Sequence, residues 1–294
     1  MLDSLDRPII LTASAKINLA LHVTGRRNDG YHTLESLVVF ADFGDRISVK
    51  RAAKDNFSMS GRFGDGLPSN ATNLALRARD ALRAAFPDRV TPVSIHLEKH
   101  LPVASGIGGG SSDAAAVLNA LARLWALDVD VDRLAAIGLP LGADIPMCLH
   151  AQPLVARGVG DEIERIAAFP HLPLVLANCG ASISTPQVFA NLNKRDNPPL
   201  PALTAMQSVD DVCAYLRATH NHLFEATRAL TPEIDHTVTV LTQTSPRLVR
   251  MSGSGGTCFA IYDSDDEAQA AAASVRRQHP GWFVVATHSA MEGN

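Results

Sequence analysis

Residues 101–116 read LPVASGIGGGSSDAAA, and this stretch is the most informative in the chain. Four glycines occupy positions 106 and 108–110, and two serines and an aspartate follow them. An apolar repeat with helical spacing comes next, formed by Val117, Leu118, Leu121, Leu124 and Trp125. A glycine loop that leads into a helix gathers backbone N–H groups and the positive end of the helix dipole. Such a loop is typical of a phosphate site.

The loop fits neither of two common phosphate motifs. A Walker A loop contains Gly-Lys-Ser or Gly-Lys-Thr, but the sequence has no lysine between Gly106 and Ser112. A dinucleotide fingerprint needs a third glycine three residues after the second, and Ser111 stands there. A flexible glycine hinge before a core helix remains an alternative. The two serines and Asp113, expected in the first helical turn, favour a helix start that handles a metal-bound nucleotide.

The remaining pattern predicts an α+β fold. Apolar residues alternate along residues 13–23, which predicts a strand with Lys16 and Asn18 on its polar face. Other strands are predicted at residues 37–40, 46–51 and 92–98. Turns are predicted at residues 26–30 and 43–45. Helices are predicted at residues 73–85 and 113–127. Strands and helices that do not alternate strictly indicate α+β rather than a doubly wound sheet.

Composition limits the class of protein. With 294 residues and 46% hydrophobic content, the chain is long enough for two domains with sizeable cores. A net charge of -4 does not favour a nucleic-acid or membrane partner. Four cysteines without CxxC spacing indicate buried thiols in a reducing compartment. The N-terminal residues lack a secretory pattern, so a soluble cytoplasmic protein is expected.

Residues 102–112 resemble the phosphate loop of the GHMP kinases, the family of galacto-, homoserine and mevalonate kinases. The resemblance covers most of the chain, in blocks at residues 14–49, 101–116, 141–149 and 251–260. It implies a two-domain α+β GHMP kinase fold with an active-site cleft between the domains. It further implies that residues 1–155 form an ATP-binding domain and residues 156–294 a substrate-binding domain.

The resemblance also implies two catalytic residues. The family's catalytic lysine lies in an S/A-x-A-K-x-N-L segment, which corresponds here to Lys16, with Asn18 as a substrate-binding residue. The family's G-A-D-V-P segment makes Asp144 the general base that takes the proton of the acceptor hydroxyl. A lysine beside that aspartate keeps it ionised. From the residues alone, a solvated strand face for Lys16 and a turn or helix cap for Asp144 remain alternatives.

ATP and Mg²⁺ are the cofactors that the resemblance implies. The residues expected at the nucleotide are Lys99, Pro102, Val103, Ala104, Ser105, Gly106, Ile107, Gly108, Gly109, Gly110, Ser111, Ser112 and Thr185. For Lys99, an ordinary solvated lysine remains the alternative to a nucleotide contact. No acidic residue is an obvious direct ligand of Mg²⁺, so the ion is expected on ATP phosphates, water and a loop serine. A second glycine-rich turn, residues 251–257, either cradles substrate phosphate or lets two backbones approach closely.

The substrate-binding residues rest on resemblance to one GHMP kinase in particular. Its D-G-Y-H segment, whose tyrosine and histidine hold a cytosine ring, is matched by Tyr31 and His32. Its phenylalanine beside the base is matched by Phe189. The expected substrate is therefore a small alcohol that carries a cytidine group. Two departures bear on substrate recognition: Cys179 stands where a proline is common, and His222 where an aspartate is usual.

Two alternatives remain open. One is another GHMP kinase that acts on a small alcohol such as homoserine or mevalonate. The other is a catalytically silent nucleotide-binding sensor on the same fold, against which the presence of both Lys16 and Asp144 argues. For the GHMP kinase that the resemblance implies, the expected partner is a small-molecule substrate rather than nucleic acid or membrane, and the expected state is a monomer or a homodimer.

Overall fold

The computed structural model of the protein describes residues 7–290. The chain divides into two compact units, each built from three segments. Unit 1 contains residues up to 15, 43–103 and 108–150, and unit 2 contains residues 16–42, 104–107 and those from 151 onward. The chain therefore crosses from one unit to the other several times. The predicted division at residue 155 concerns where ATP and substrate bind, and it stays a prediction.

Unit 1 combines part of a sheet with a group of helices. Its strands are the first residues of β1 (Ile9–Arg26), the last residues of β2 (His32–Arg51), β3 (Asn56–Ser60) and β4 (Val93–Glu98). β4 pairs antiparallel with β2 and parallel with β3. The helices are α1 (Leu74–Ala85), α2 (Gly109–Leu124), α3 (Val131–Gly138) and α4 (Ile145–His150). Because α2 packs against α1, α3 and α4, the helix that follows the glycine loop is central to this unit.

Unit 2 contains the remaining parts of β1 and β2 and a separate antiparallel sheet. β2 pairs with β5 (Leu154–Arg157), which pairs with β6 (Glu162–Arg165). The separate sheet, in the order β10-β7-β9-β8, consists of β7 (Pro173–Asn178), β8 (Leu248–Met251), β9 (Cys258–Ile261) and β10 (Phe283–His288). The helices are α5 (Thr185–Ala190), α6 (Val209–Arg217), α7 (Phe224–Leu230), α8 (Glu233–Thr242) and α9 (Asp265–Gln278). α8 and α9 pack on this sheet. Across residues 7–290, no helix has both the length and the apolar character needed to span a membrane.

The predicted helix starts depend on their capping residues. α1 begins where expected, because the Asn73 side chain accepts the backbone N–H of Ala75 at 2.9 Å. α2 begins at Gly109, four residues before the predicted start at Asp113. Gly108 provides the N-cap with a left-handed backbone, and the glycines themselves form the first turn. Asp113 therefore lies beyond the first turn, where its side chain is buried.

The turn predicted at residues 43–45 is wrong, because β2 runs through it without interruption. Gly44 is needed for close packing rather than for a turn, since a Cβ there would lie 2.1 Å from the carbonyl oxygen of Ala13. Asp45 is fully buried, and its carboxylate accepts hydrogen bonds from Lys99 and from backbone N–H groups. A glycine followed by an aspartate is a common turn signal in a sequence. Here the glycine instead allows close packing, and the aspartate accepts buried hydrogen bonds.

The polar face of β1 is buried. Lys16 is 6% exposed and Asn18 4% exposed, so the alternative of a solvated outer face is wrong. The apolar residues on the other face, such as Ile17 and Leu19, are fully buried as predicted. Since buried polar groups need partners, the polar face of β1 is a candidate site.

Candidate active site

The first part of the phosphate loop packs against the second glycine-rich turn. Gly106 has a φ of +75°, and a Cβ added there would lie 2.5 Å from the carbonyl oxygen of Ser252 and 2.7 Å from that of Gly255. The Ser252 hydroxyl donates a hydrogen bond to the Gly106 carbonyl at 3.1 Å. The second turn therefore lets two backbones approach closely, which is one of its two predicted roles. Its contact with a substrate phosphate stays a prediction.

The second part of the loop forms the N-terminus of α2. The carbonyl of Gly108 accepts the N–H of Ser112 at 2.9 Å, which closes the first turn of the helix. The N–H groups ahead of this bond have no carbonyl within the helix to bind. No acidic side chain lies in the first turn of α2. The positive end of the helix dipole is therefore available to an anion such as a phosphate.

The two loop serines differ in their surroundings. Ser112 is buried, and its hydroxyl donates to the carbonyl of Ser14 in β1 at 2.7 Å. It thereby ties α2 to β1 within unit 1. Ser111 is half-buried, so its side chain is the more accessible of the two. Ser111 is thus more accessible to a ligand than Ser112.

Lys99 is buried in an ionic cluster next to the start of α2. Its Nζ donates to the carboxylates of Asp45 and Asp113, the second at 2.8 Å. Asp45 also accepts the backbone N–H groups of His100 at 2.6 Å and Leu101 at 2.8 Å. The alternative of an ordinary solvated lysine is wrong. Contact with adenosine stays a prediction, and it would involve a side chain already bonded to two carboxylates.

Burial and charge shift the pKa values of two members of this cluster, Asp113 and Lys99. Burial, reinforced by the charge of Asp45, raises the pKa of Asp113 to about 8 despite the opposing effect of Lys99. Burial lowers the pKa of Lys99, but the two carboxylates outweigh it and raise that pKa overall. Asp45 accepts three hydrogen bonds, one from the Lys99 side chain and two from backbone N–H groups. At neutral pH the cluster therefore contains a charged Lys99 and a protonated Asp113.

A backbone hydrogen bond within its own unit holds each of the two predicted catalytic residues. Lys16 is buried on β1, and its N–H donates to the carbonyl of Ile107 in the phosphate loop at 2.9 Å. Asp144 is half-buried and comes directly before α4, where its carbonyl accepts the N–H of Cys148 at 3.1 Å. This backbone bond lies at the start of α4. The role of Asp144 as general base and its pairing with Lys16 stay predictions.

Asn18 is placed by two serines in unit 2. Its Nδ2 donates to the Ser36 hydroxyl at 2.7 Å, and its backbone N–H donates to the Ser252 hydroxyl at 3.0 Å. Its Oδ1 is buried and accepts no hydrogen bond from any residue in the range 7–290. An acceptor of this kind is suited to the O–H or N–H of a ligand.

His32 and Phe189 stack on each other in unit 2, with ring centroids 5.0 Å apart. Burial lowers the pKa of His32, and the positive charges of Arg195 and Arg26 lower it further. The imidazole is therefore neutral at pH 7. Its Nε2 is buried, and no described residue forms a hydrogen bond with it. A stacked pair of rings with an unpaired ring nitrogen is suited to a flat heterocyclic ligand.

Two further predicted contacts, Tyr31 and Thr185, lie in different surroundings. Tyr31 is 65% exposed, and its backbone N–H donates to Asp29 at 3.2 Å. Thr185 begins α5, and its hydroxyl lies 2.7 Å from that of Ser254 in the second glycine-rich turn. Their roles with substrate and nucleotide stay predictions.

Two family models match the chain. The model for the GHMP kinases N terminal domain matches residues 73–152, and that for the GHMP kinases C terminal region matches residues 200–281. A curated relative from Mesorhizobium japonicum is 54% identical over 278 residues, with 94% of each chain covered. One from Brucella abortus biovar 1 is 52% identical over 281 residues, with 94% of each chain covered. The chain belongs to the GHMP kinases.

Both of these GHMP kinases are named 4-diphosphocytidyl-2-C-methyl-D-erythritol kinase. A crystal structure of 4-(cytidine 5'-diphospho)-2C-methyl-D-erythritol kinase matches with a TM-score of 0.80 at 32% identity, covering 96% of this chain and 100% of that one. A homoserine kinase from Cytophaga hutchinsonii matches with a TM-score of 0.70 at 16% identity, covering 99% of this chain and 97% of that one, which shows a shared fold alone. The predicted two-domain α+β GHMP kinase fold and the ATP-dependent kinase activity are confirmed. Kinase relatives of this similarity also argue against a silent sensor.

Sequence reasoning missed two side chains that support the candidate site. The sequence does not single out Ser36, because a serine directly before the predicted apolar strand at residues 37–40 carries no local signal for its partner. Asp45 falls in the predicted turn at residues 43–45, although its position directly before the predicted strand at residues 46–51 is a usable signal. A carboxylate inside a buried strand requires a cation or several N–H donors, so an uninterrupted β2 would have indicated such a site.

Proposed function

We propose that this GHMP kinase transfers the γ-phosphoryl group of ATP to the 2-hydroxyl of 4-diphosphocytidyl-2-C-methyl-D-erythritol. The reaction belongs to the non-mevalonate route to isoprenoid precursors. The observation that carries the proposal is the stack of His32 on Phe189 with its buried, unpaired Nε2 atom. Such a pair can stack on and hydrogen-bond to a cytosine ring, which homoserine and mevalonate lack. The names of the curated relatives support the same substrate.

ATP is proposed to bind through the phosphate loop. The N–H groups at the start of α2 bind its phosphates, and residues 102–112, Lys99 and Thr185 supply the other contacts. The geometry of the helix N-terminus and the accessible Ser111 side chain support this assignment. On this proposal, residues 1–155 supply most of the ATP site and residues 156–294 most of the substrate site.

Lys16 and Asp144 are the proposed catalytic residues. Asp144 orients the acceptor hydroxyl and takes its proton as the new bond to phosphorus forms. The bond from the γ-phosphorus to the bridging oxygen breaks at the same time, and ADP leaves with the electron pair. The charge of Lys16 stabilises the phosphoryl oxygens during transfer. The hydrogen bond from the Lys16 N–H to the phosphate loop supports this role.

Mg²⁺ is proposed to accompany ATP, and the donor groups of the chain fit a shared ion. Within residues 7–290, no group of three or more His, Cys, Asp and Glu side chains is placed to hold a metal. Mg²⁺ retains waters and binds through substrate phosphates, so a single loop hydroxyl such as that of Ser111 suffices from the protein. The chemistry that the ion supplies is neutralisation of phosphate charge.

We further propose that the protein acts on this small molecule in the cytoplasm, as a monomer or a homodimer. The four cysteines are thiols, and Cys148, Cys213 and Cys258 are buried. Unpaired cysteines fit a reducing compartment.

An ADP-release assay with a panel of alcohols tests the substrate. We expect turnover with the cytidylyl compound and at least roughly 10³-fold lower kcat/KM with 2-C-methyl-D-erythritol 4-phosphate, homoserine and mevalonate. A site built to hydrogen-bond a base rejects ligands that leave its buried polar groups unpaired. Faster turnover of homoserine or mevalonate would overturn the proposed substrate.

Asp144→Asn tests the proposed base in the same assay. The variant keeps the shape of the side chain and cannot accept the proton. Its turnover is expected to fall by roughly 10²–10⁴-fold, while ATP affinity measured by calorimetry stays close to that of the wild type. Near-normal turnover would remove Asp144 from the mechanism and leave the substrate assignment standing.

A further inference from the structure

Ser36 is a buried serine on β2 whose hydroxyl has a defined direction. It lies opposite Ala156 of β5 and is 1% exposed. Its hydroxyl donates to the carbonyl of Ala20 at 2.7 Å. Because a carbonyl oxygen can only accept, the hydrogen of Ser36 is committed to that bond. The lone pairs of the same hydroxyl are left to accept the hydrogen bond from the Asn18 side chain.

This arrangement determines which way the Asn18 carboxamide faces. Its Nδ2 donates to Ser36 at 2.7 Å, so the amide nitrogen is directed towards Ser36 and Oδ1 is directed away from it. In the opposite orientation, the amide oxygen would face a hydroxyl that has no hydrogen to donate. The buried Oδ1 has no donor within the part of the chain that the structure describes, which is costly for an acceptor unless a ligand or water supplies one.

The backbone of Asn18 is held independently of its side chain. Its N–H donates to the Ser252 hydroxyl at 3.0 Å, and that hydroxyl donates to the carbonyl of Gly106 in the phosphate loop. Gly253 leaves room beside the amide oxygen, since a Cβ there would lie 3.1 Å from Oδ1. Asn18 is thus tied to the phosphate loop through its backbone and oriented by Ser36 through its side chain.

We infer that Ser36 is a positioning residue that presents the oxygen of the Asn18 carboxamide, rather than its nitrogen, to a hydroxyl of the acceptor alcohol. The inference rests on the proposed function in one respect, namely that Asn18 binds the acceptor. A carboxamide oxygen selects a hydrogen-bond donor, and the donor that an alcohol offers is its O–H group. Ser36 touches no reacting atom, and it acts only through Asn18.

The test compares Ser36→Ala with Ser289→Ala in the intact chain. Ser289 is the matched control, because it is also a buried serine of unit 2, with its hydroxyl donating to the carbonyl of Pro170. We expect Ser36→Ala to raise KM for the acceptor by roughly threefold to tenfold and to leave KM for ATP within about twofold. Ser289→Ala is expected to change neither constant. Ser36→Thr, which keeps the hydroxyl, is expected to restore acceptor binding.

A double-mutant cycle with Asn18→Ala separates positioning from a general loss of structure. If Ser36 acts through Asn18, Ser36→Ala has no further effect on acceptor KM once Asn18 is alanine. Additive effects, or equal kinetics for Ser36→Ala and Ser289→Ala, would overturn the inference. If Asn18→Ala leaves the acceptor KM unchanged, the role of Asn18 fails and the inference fails with it.

The proposed substrate can be wrong while the inference about Ser36 holds. The same variants are compared with whichever alcohol of the panel the wild type phosphorylates, so a different substrate leaves the test of Ser36 intact. A variant that unfolds is recognised by its thermal melting curve, and the comparison is then made with Ser36→Cys. That variant replaces the hydroxyl with a weaker hydrogen-bonding group of similar shape and is expected to give an intermediate KM.

Discussion

Lys99, Asp45 and Asp113 keep a charged cluster inside unit 1, and its charge state depends on one proton. The Oδ1 atom of Asp113 is buried and has no hydrogen-bond partner among the described residues. Ionisation of Asp113 would leave that oxygen charged, buried and unpaired. This is the physical reason for the raised pKa of about 8, to which burial contributes most. The cluster therefore stabilises the fold best when Asp113 holds its proton.

Asp113→Asn is expected to flatten the pH dependence of stability. A raised pKa in the folded state means that the contribution of Asp113 is full below the unfolded pKa of about 4 and is lost as the pH rises through about 8. Between about pH 6 and pH 8, the free energy of unfolding of the wild type should fall by on the order of 1–2 kcal/mol. Asp113→Asn resembles the protonated form and should lose this decline in urea titrations. The exposed Asp128→Asn is the control, and equal slopes in the wild type and Asp113→Asn would contradict the assignment.

At the scale of elements, the phosphate loop and the second glycine-rich turn depend on each other. Gly253 and Gly255 both have positive φ values, and a Cβ on Gly253 would lie 2.8 Å from the carbonyl oxygen of Gly106. Glycine is needed on both sides because backbone meets backbone, and neither side can move away as a flexible side chain would. The position of the loop in unit 2 therefore depends on a turn about 150 residues further along the chain.

Gly106→Ala should disturb both stability and nucleotide binding. The new Cβ would meet two carbonyl oxygens at 2.7 Å or less, and alanine is strained at a φ of +75°. We expect the free energy of unfolding to fall by more than about 1 kcal/mol and ATP affinity, measured by calorimetry, to weaken. Gly110→Ala is the control for stability, since its Cβ would meet only a flexible leucine side chain at 3.3 Å. Equal stability of Gly106→Ala and wild type would contradict the close packing.

At the scale of the whole molecule, the response to acid depends on histidines in unit 2. The Nδ1 of His22 lies 3.0 Å from the carbonyl of Pro198, and its Nε2 accepts the N–H of His220 at 3.1 Å. Since a carbonyl only accepts and an N–H only donates, His22 is neutral with its proton on Nδ1. The Nδ1 of His222 accepts the N–H of Val23 at 3.2 Å, so that nitrogen carries no proton. Protonation at Nε2 of His22 or Nδ1 of His222 would break these bonds.

His222→Asn should protect the protein against mild acid. Burial, and then His22 and His220, lower the pKa of His222 to about 4, so its contribution is lost as the pH falls from about 6.5 through 4. Asparagine can still accept the N–H of Val23 but does not titrate. The variant should retain on the order of 1 kcal/mol of stability that the wild type loses in this range, after allowance for solvent screening.

As the pH falls, protonation of Asp113 stabilises the fold over part of the same range, which opposes the effect of His222. The test therefore compares how steeply the free energy of unfolding changes with pH in the variant and the wild type, rather than a single pH midpoint. His96→Asn, a histidine on β4 that is not part of this cluster, is the control. An unchanged acid slope in His222→Asn would contradict the role of the histidines.

Local signals were sufficient for several elements. The cap at Asn73, the apolar repeat of α2 and the alternation along β1 are set by residues within a few positions of one another. The same reasoning failed at residues 43–45, because glycine and aspartate have the same appearance in a turn and in a close tertiary contact. It also placed the start of α2 too late, because glycine is a poor helix former and is therefore not expected in the first turn of a helix.

The sequence alone determined the family, the α+β class and the glycine loop before α2, because these depend on short motifs and on the period of apolar residues. Only the tertiary structure decided which side chains share a site. Lys99 meets Asp45 across 54 positions and Asn18 meets Ser36 across 18, and His32 stacks on Phe189 from a distant helix. Such partners are chosen by strand pairing and close packing, which bring distant residues together, and no local pattern records which distant residue will be the neighbour.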